Sequence, residues 1–391
     1  VFGLYLHYGE HSYFWLNLAI QALATMWILQ LTLRVFGLAR PWQLLGVSLL
    51  LALTTALPWL ASMLLTDIFA GLSILSLFIL VLHGDKVSRS EKAALFVFTA
   101  FAAATHSATM AVLLGLCCIG WIARPWLRIP VSRLMQGTLT IAAGAMMLLS
   151  ANFALSGQVA WTPGGFAIAF ARMLQDGIVT QYLREHCAER HFKLCPYRDA
   201  LPETADDFLW SRESVFNKLG RFRGMNDEMG YIATHALTEY PLWQAEEALL
   251  ATGEQMLEVA TGENTDHPTL MHTYGIFREY LPNQLKLVDA AHQQKGFLTF
   301  GPVNLIHVPV ALISTALVFA MLIFALFRRQ ADDVTLLMAT VCLSLLGNAA
   351  ICGIISGAHD RYGSRLVWIA TFALMIAVLK RRKDREPSRA A

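Results

Sequence analysis

Long apolar runs, separated by five clusters of Lys and Arg, constrain this chain more than any other feature. Only 15% of its 391 residues are charged and 56% are hydrophobic, with a mean hydropathy of +0.49. An ordinary soluble domain carries about 25% charged residues. The apolar residues come in uninterrupted runs and not at amphipathic spacing, so they read as transmembrane helices. The spacing predicts spans near 13–33, 44–60, 64–82, 134–155, 305–327, 334–355 and 366–379. The run 93–123 exceeds one span and is interrupted by His106 and Ser107, so two short helices meeting at His106 are expected there.

Orientation follows from the charges, because short cytoplasmic loops are enriched in Lys and Arg. The clusters are Arg34 and Arg40; Lys86, Arg89 and Lys92; Arg124, Arg128 and Arg133; Arg328 and Arg329; and Lys380, Arg381, Arg382, Lys383 and Arg385. All five share one side only if an even number of crossings separates each pair, which requires 93–123 to go up and back. Nine membrane segments result, with the amino end outside and the carboxyl end inside. Re-entrant helices would satisfy the charges equally well. A first residue of Val with an external amino end leads to the expectation that a helix and its external loop precede Val1.

The expected class is therefore an α-helical polytopic membrane protein of about nine helices, with a mostly helical extracytoplasmic domain inserted before the last three. The divisions are 1–155 for the first membrane helices, 156–302 for the external domain, 303–382 for the last membrane helices and 383–391 for a disordered cytoplasmic tail. The insertion holds 12 Lys and Arg against 19 Asp and Glu, a formal charge of −7, which disfavours nucleic acid and anionic lipid surfaces. Helices are expected at 230–240, 242–261 and 272–280, punctuated by Pro241, Pro268 and Pro282, with a turn at 161–164.

Cys117, Cys118, Cys342 and Cys352 fall in apolar segments and read as small buried side chains. Cys187 and Cys195 lie close together in the external insertion, where an oxidising compartment would pair them. The stretch His186, Cys187, His191, Cys195 also has zinc-ligand types, but its spacing matches no standard finger. A disulfide is the preferred reading, with zinc and free thiols as alternatives.

Polar residues on the outer side carry the functional reading. Asp67 begins an otherwise apolar helix, where an unpaired carboxylate is expensive; the bland alternative is a helix cap by Thr66 or Asp67. His106 stands at the tip of the hairpin, and His7, Glu10 and His11 precede the first span on the same side. Before the last span the chain reads His359, Asp360, Arg361, Tyr362, Gly363, Ser364, Arg365. Two external arginines oppose the inward bias of positive charge, and a lipid phosphate would account for them through bidentate guanidinium bonds. The competing account is an Asp360–Arg361 ion pair with Arg365 snorkelling to headgroups.

With these features the layout resembles the GT-C class of integral membrane glycosyltransferases, which take sugars from polyprenyl-phosphate carriers. The resemblance rests on architecture, on Arg361 and Tyr362 outside the final helix, and on the turn LPWLASMLLTDIFAGL at 57–72. It implies a bacterial inner-membrane enzyme with 156–302 in the periplasm, acting on a lipid-linked sugar donor at the outer face. In that class a carboxylate of the first external loop serves as base or metal ligand, whereas here Glu10 stands alone before the first span. The catalytic role then falls to Asp67, Glu10 or His106, or to a segment upstream. Arg361, Arg365 and Tyr362 would hold the donor phosphate. A divalent cation could replace part of the arginine role, although no ligand cluster demands one. The rivals are a transporter or lipid flippase without chemistry, with polar breaks at His106, Pro58 and Asn348 lining a pathway, and an assembly subunit whose external domain binds another protein.

Overall fold

The computed structural model describes all residues except 13, 158, 162–164, 266–277, 280–281 and 386–391. Every regular element among the described residues is helical, with no strand. The first eight are α1 (Phe2–Gly9), α2 (Trp15–Val35), α3 (Pro41–Thr54), α4 (Leu57–Ser62), α5 (Asp67–Leu82), α6 (Arg89–Thr105), α7 (Ser107–Leu127) and α8 (Val131–Ser156). There follow α9 (Gly165–Gln175), α10 (Ile178–His186), α11 (Ala205–Trp210), α12 (Val215–Lys218), α13 (Arg221–Glu239), α14 (Pro241–Leu257) and α15 (Leu285–Ala290). The last three are α16 (Gly301–Phe327), α17 (Asp333–Ser356) and α18 (Asp360–Arg385). Among the described residues six helices, α2, α7, α8, α16, α17 and α18, are long and apolar enough to cross a membrane. Apolar side chains along them face outward, Leu305 and Phe327 being 80% and 85% exposed, as suits a lipid surface and not water. The chain is thus a helical protein of the membrane.

Two compact units are present: Val1–Leu148 with Leu257–Asn348 and His359–Ala391, and Leu149–Met256 with Ala349–Ala358. In the first, α5 is the core. Its apolar residues occupy every face, so it is buried from Asp67 through Val81. Phe69 meets Phe101 and Phe98 of α6 with ring centroids 5.2 and 6.1 Å apart, and Ser76 accepts a 2.7 Å hydrogen bond from Thr99 while donating to Leu95 O. This pairing is antiparallel. On the other side Gly71 lets the Trp368 indole of α18 lie where a Cβ would be 2.6 Å from it. That helix, α18, is itself buried from Gly363 through Ala373 without a break.

The chain reverses at His106. Its extended backbone (φ −152, ψ 120) ends α6 and starts α7. Trp121 donates to Thr138 at 3.0 Å, Gly120 lies against Leu134 and Gly137 against Cys117, so α7 and α8 are antiparallel. Gly144 of α8 lies against Ala100 and Ala103 of α6, and α8 meets α5 antiparallel through Arg133 donating to Leu82 O and Gly137 against Leu77 and Val81. Since α8 opposes both α5 and α7, and α5 opposes α6, α6 and α7 run oppositely.

Several expected boundaries move. The span 44–60 is two helices, because the ring and missing N–H of Pro58 are incompatible with a helix running through Thr54; Thr55 is extended and α4 restarts with Pro58 in its first turn. The last span starts at Asp360 and not at 366, so His359–Arg365 is mostly helix. Residues 383–385 are helical, not disordered. Cys118 is exposed, unlike the other three apolar-segment cysteines.

All the basic clusters but one make contacts at a single end of this unit. Beyond the end of α5, Lys86 donates to Val35 O at 3.1 Å and pairs with Asp333 at 2.9 Å. Arg34 pairs with Glu91 at 2.7 Å, Arg133 with Asp85 at 3.1 Å, and Lys383 donates to Gly37 O at 2.8 Å. The 16 residues of α5 place Asp67 about 24 Å away along the helix axis.

The second unit packs α9, α10, α11 and α13 around Phe170, Phe208, Phe216, Met225, Met229 and Ile232. Cys187 and Cys195 are joined by a disulfide, with Cα atoms 5.7 Å apart, and Glu228 accepts from the backbone N–H groups of Lys193 and Leu194 inside that loop. α13 begins at Arg221, earlier than expected, and α14 ends at Leu257, before the expected 261. The helix expected at 272–280 and the turn at 161–164 lie largely outside the described residues. The described residues of 257–302, grouped by polarity with the external insertion, fall instead in the first unit. The reason is hydrogen bonding: Thr261 and Asn304 exchange bonds of 2.8 and 3.0 Å, Thr261 Oγ1 meets His307 Nδ1 at 3.0 Å, and Ala260 N–H donates to Asp360.

Candidate functional site

At the end of the first unit opposite the basic clusters, two buried helices present their first turns to each other. Asp67 is the first residue of α5, preceded by Thr66, whose side chain makes no cap bond. Negative charge is favoured at this position by the free amides of the helix start. The carboxylate is only 2% exposed and is held across the fold by Arg361. Arg361 Nε and Nη2 both donate to Asp67 Oδ2, at 3.1 and 2.9 Å. Oδ1 has no hydrogen bond and faces Arg365 Nη1 at 4.0 Å.

The two arginines are four positions apart, so the helical period sets them on one face of α18. Their environments differ sharply. The side chain of Arg365 is 1% exposed and that of Arg361 30%. Asn348 Oδ1 accepts from Arg365 Nε at 3.2 Å and from Nη2 at 2.5 Å, and Asn348 Nδ2 donates back to Tyr362 O at 2.8 Å. The Tyr362 ring lies 5.5 Å from the guanidinium carbon of Arg365 and edge-on to His359. Arg365 Nη1 meets His106 Nδ1 at 3.3 Å. Because a guanidinium can only donate, Nδ1 accepts, and the ring proton of His106 sits on Nε2.

The segment after α14 closes the outer edge. Glu263 accepts from Arg361 N–H at 2.7 Å through Oε2, and its Oε1 lies 2.8 Å from His359 Nδ1. Burial pushes the Glu263 carboxyl up, but the bonds from His359 and the Arg361 amide, with the charges behind them, hold it below the usual carboxylate value. Gly363 is required here, since any Cβ would overlap the carbonyl of Glu258.

Asp67, His106, Arg361 and Arg365, singled out one by one in the sequence, thus meet in one cluster. Arg361 pairs with Asp67 and not with Asp360, whose carboxylate accepts from the Ala260 amide. Arg365 is interior and does not snorkel. Tyr362 serves the cluster through its carbonyl and through its ring beneath Arg365. Glu10 has another neighbour, His7, whose Nδ1 lies 3.8 Å from its carboxylate. Glu263 was missed, because nothing in its local sequence separates it from the other acids of the insertion. Asn348 drew notice only as a polar break in a span.

One carboxylate faced by two guanidinium groups is a donor set for an anion and not for a divalent cation. In the second unit, Glu185, His186 and Glu239 bring ligand atoms within 4.8 Å of one another. There His186 is already bonded to Glu239 at 3.0 Å, and Glu185 accepts from Tyr240 at 2.5 Å. The zinc alternative at His186, Cys187, His191 and Cys195 is overturned, since both sulfurs are spent in the disulfide. No family model matches this chain, and comparison with curated proteins and with solved structures returns no match.

Proposed function

We propose that this protein is an integral membrane glycosyltransferase of the GT-C kind, moving a sugar from a polyprenyl-phosphate carrier to an acceptor at the outer face of a bacterial inner membrane. In this reading the basic clusters lie in the cytoplasm, nine segments enter the membrane, and the second unit stands in the periplasm. The observation that carries it is the partly exposed Arg361 guanidinium on the buried Asp67 carboxylate, at the end of the unit opposite the positive clusters.

The chemistry is a single displacement. An acceptor hydroxyl attacks the anomeric carbon and passes its proton to Asp67. The bond from that carbon to the phosphate oxygen breaks, and the lipid phosphate leaves with the electron pair. Arg361 stabilises the charge growing on that phosphate, where a preoriented donor in a dry site is most effective. Arg365, fixed by Asn348 and His106, keeps a second positive charge behind the carboxylate. Tyr362 and Asn348 hold this arrangement in place.

The test uses purified protein in nanodiscs with a panel of polyprenyl-phosphate-linked pentoses and hexoses, scoring release of polyprenyl phosphate. Wild type is expected to release it from at least one donor, and Asp67→Asn to be slower by about 10²-fold or more. Movement of intact donor across a proteoliposome without release would favour a flippase and remove the enzyme reading.

A further inference from the structure

Arg361 and Arg365 divide one task between them, and the division makes the site a latch. Arg365 is interior, bonded through Nε and Nη2 to Asn348 and through Nη1 to His106. Any displacement of its guanidinium would break bonds to two other helices. Arg361 is different. Its side chain bonds only Asp67, and Nη1 has no hydrogen-bond partner among the described residues. It is also the one member of the pair with solvent access.

Of the two guanidinium groups, Arg361 is the one a ligand at this edge can reach, since Arg365 is sealed at 1% exposure. Asp67 takes Arg361, Glu263 takes His359 and the Arg361 amide, and Asp360 takes the Ala260 amide. A phosphate arriving at this edge has to compete for the Arg361 guanidinium, which prefers the bidentate geometry that a phosphate offers over the single oxygen it now holds. Once Arg361 turns to the phosphate, Asp67 loses both of its hydrogen bonds and keeps only the more distant Arg365. The oxygen it vacates can then accept a hydrogen bond from another hydroxyl.

From this asymmetry we propose that Arg361 is a substrate-operated latch: in the empty site it masks Asp67, and a polyprenyl-phosphate group draws it away and frees the carboxylate to act as base. This rests on the reading given above and adds order to it, since the base is exposed only when a donor is present. It also explains why the partly exposed arginine pairs with the acid while the buried one stands 4.0 Å off.

The latch has an unusual signature, because removing the acid should improve phosphate binding. Decaprenyl phosphate and uncharged decaprenol are titrated into wild type, Asp67→Asn and Arg361→Ala in nanodiscs, with binding read by native mass spectrometry. Wild type is expected to prefer the phosphate over the alcohol. Asp67→Asn, whose carboxamide no longer competes for the guanidinium, is expected to bind the phosphate three- to tenfold more tightly, and Arg361→Ala to lose the preference. Asp67→Asn binding equal to or weaker than wild type, with the preference for phosphate intact, overturns the latch alone. No preference in wild type overturns the latch together with the lipid-phosphate reading beneath it. Should Asp67→Asn fail to fold, wild type still decides the matter by isotope-edited infrared spectroscopy with labelled aspartate. Saturating decaprenyl phosphate is expected to shift one carboxylate stretch in wild type and none in Arg361→Ala, and an unshifted wild-type spectrum with phosphate bound overturns the proposal.

Discussion

Arg361 spends two guanidinium donors on a single oxygen of Asp67, a residue 294 positions earlier in the chain, and leaves the other carboxylate oxygen unbonded. The pair ties the first turn of α18 to the first turn of α5. The stability of this end of the fold therefore depends on which partner is removed.

Arg365→Ala is expected to cost more than Arg361→Ala. The first strips a buried cation from Asn348 and from behind Asp67, a loss of about 3–5 kcal/mol. The second removes a partly exposed charged hydrogen-bonding group, a loss of about 1.5–3 kcal/mol. Thermal unfolding of the two variants in one detergent checks the order, and equal midpoints would contradict it.

Gly71→Ala introduces a Cβ 2.6 Å from the Trp368 ring where α5 and α18 cross. Overpacking of this kind costs about 1–3 kcal/mol. Gly46→Ala on α3, with nothing within 4 Å of its Cβ, is the control; it is expected to be neutral or to stabilise by up to about 1 kcal/mol.

Asp176 supplies a pH dependence in the second unit. Burial pushes its carboxyl up to about 6 from 3.8, against the pull of Arg172, with Glu247 and Glu254 adding to the rise. The folded state then binds the proton more tightly than the unfolded chain. Stability from this group is greatest below about pH 4, falls as pH rises toward about 6, and is level above. Wild-type stability relative to Asp176→Asn should drop by up to about 3 kcal/mol across that interval. A difference that does not vary with pH, measured by denaturant unfolding, would refute this.

The Cys187–Cys195 disulfide closes a loop with a sequence separation of 8. Replacing both by Ser should lower the stability of the second unit by about 2–3 kcal/mol through the freed unfolded chain. Proteolysis of the paired Ser variant at rising denaturant reads the change, with cleavage expected within 187–195 first.

Much of the architecture was legible in the chain itself. Apolar runs, basic clusters and the interruption at His106 are local and additive signals, and they marked a helical membrane protein with a reversal at that histidine. Two cysteines close in a polar stretch made the disulfide readable for the same reason. The break at Thr55 could have been read from Pro58, whose effect on the preceding helical turn is equally local.

What only the tertiary structure decided is which polar groups share a partner. Hydropathy says that α5 is buried but not how it is rotated, because a helix apolar on every face has no stripe to orient it. The rotation came from contacts such as Gly71 against Trp368, and with it came the approach of Asp67 to Arg361 and not to Asp360. Arg365 and Arg361 look equivalent in sequence, yet one is sealed behind Asn348 and the other keeps an open edge. Residues 258–265 read as part of a polar domain, but their hydrogen bonds bind them to the membrane helices. Composition determines where a segment can be immersed; pairing across nearly three hundred residues depends on packing geometry that no local window contains.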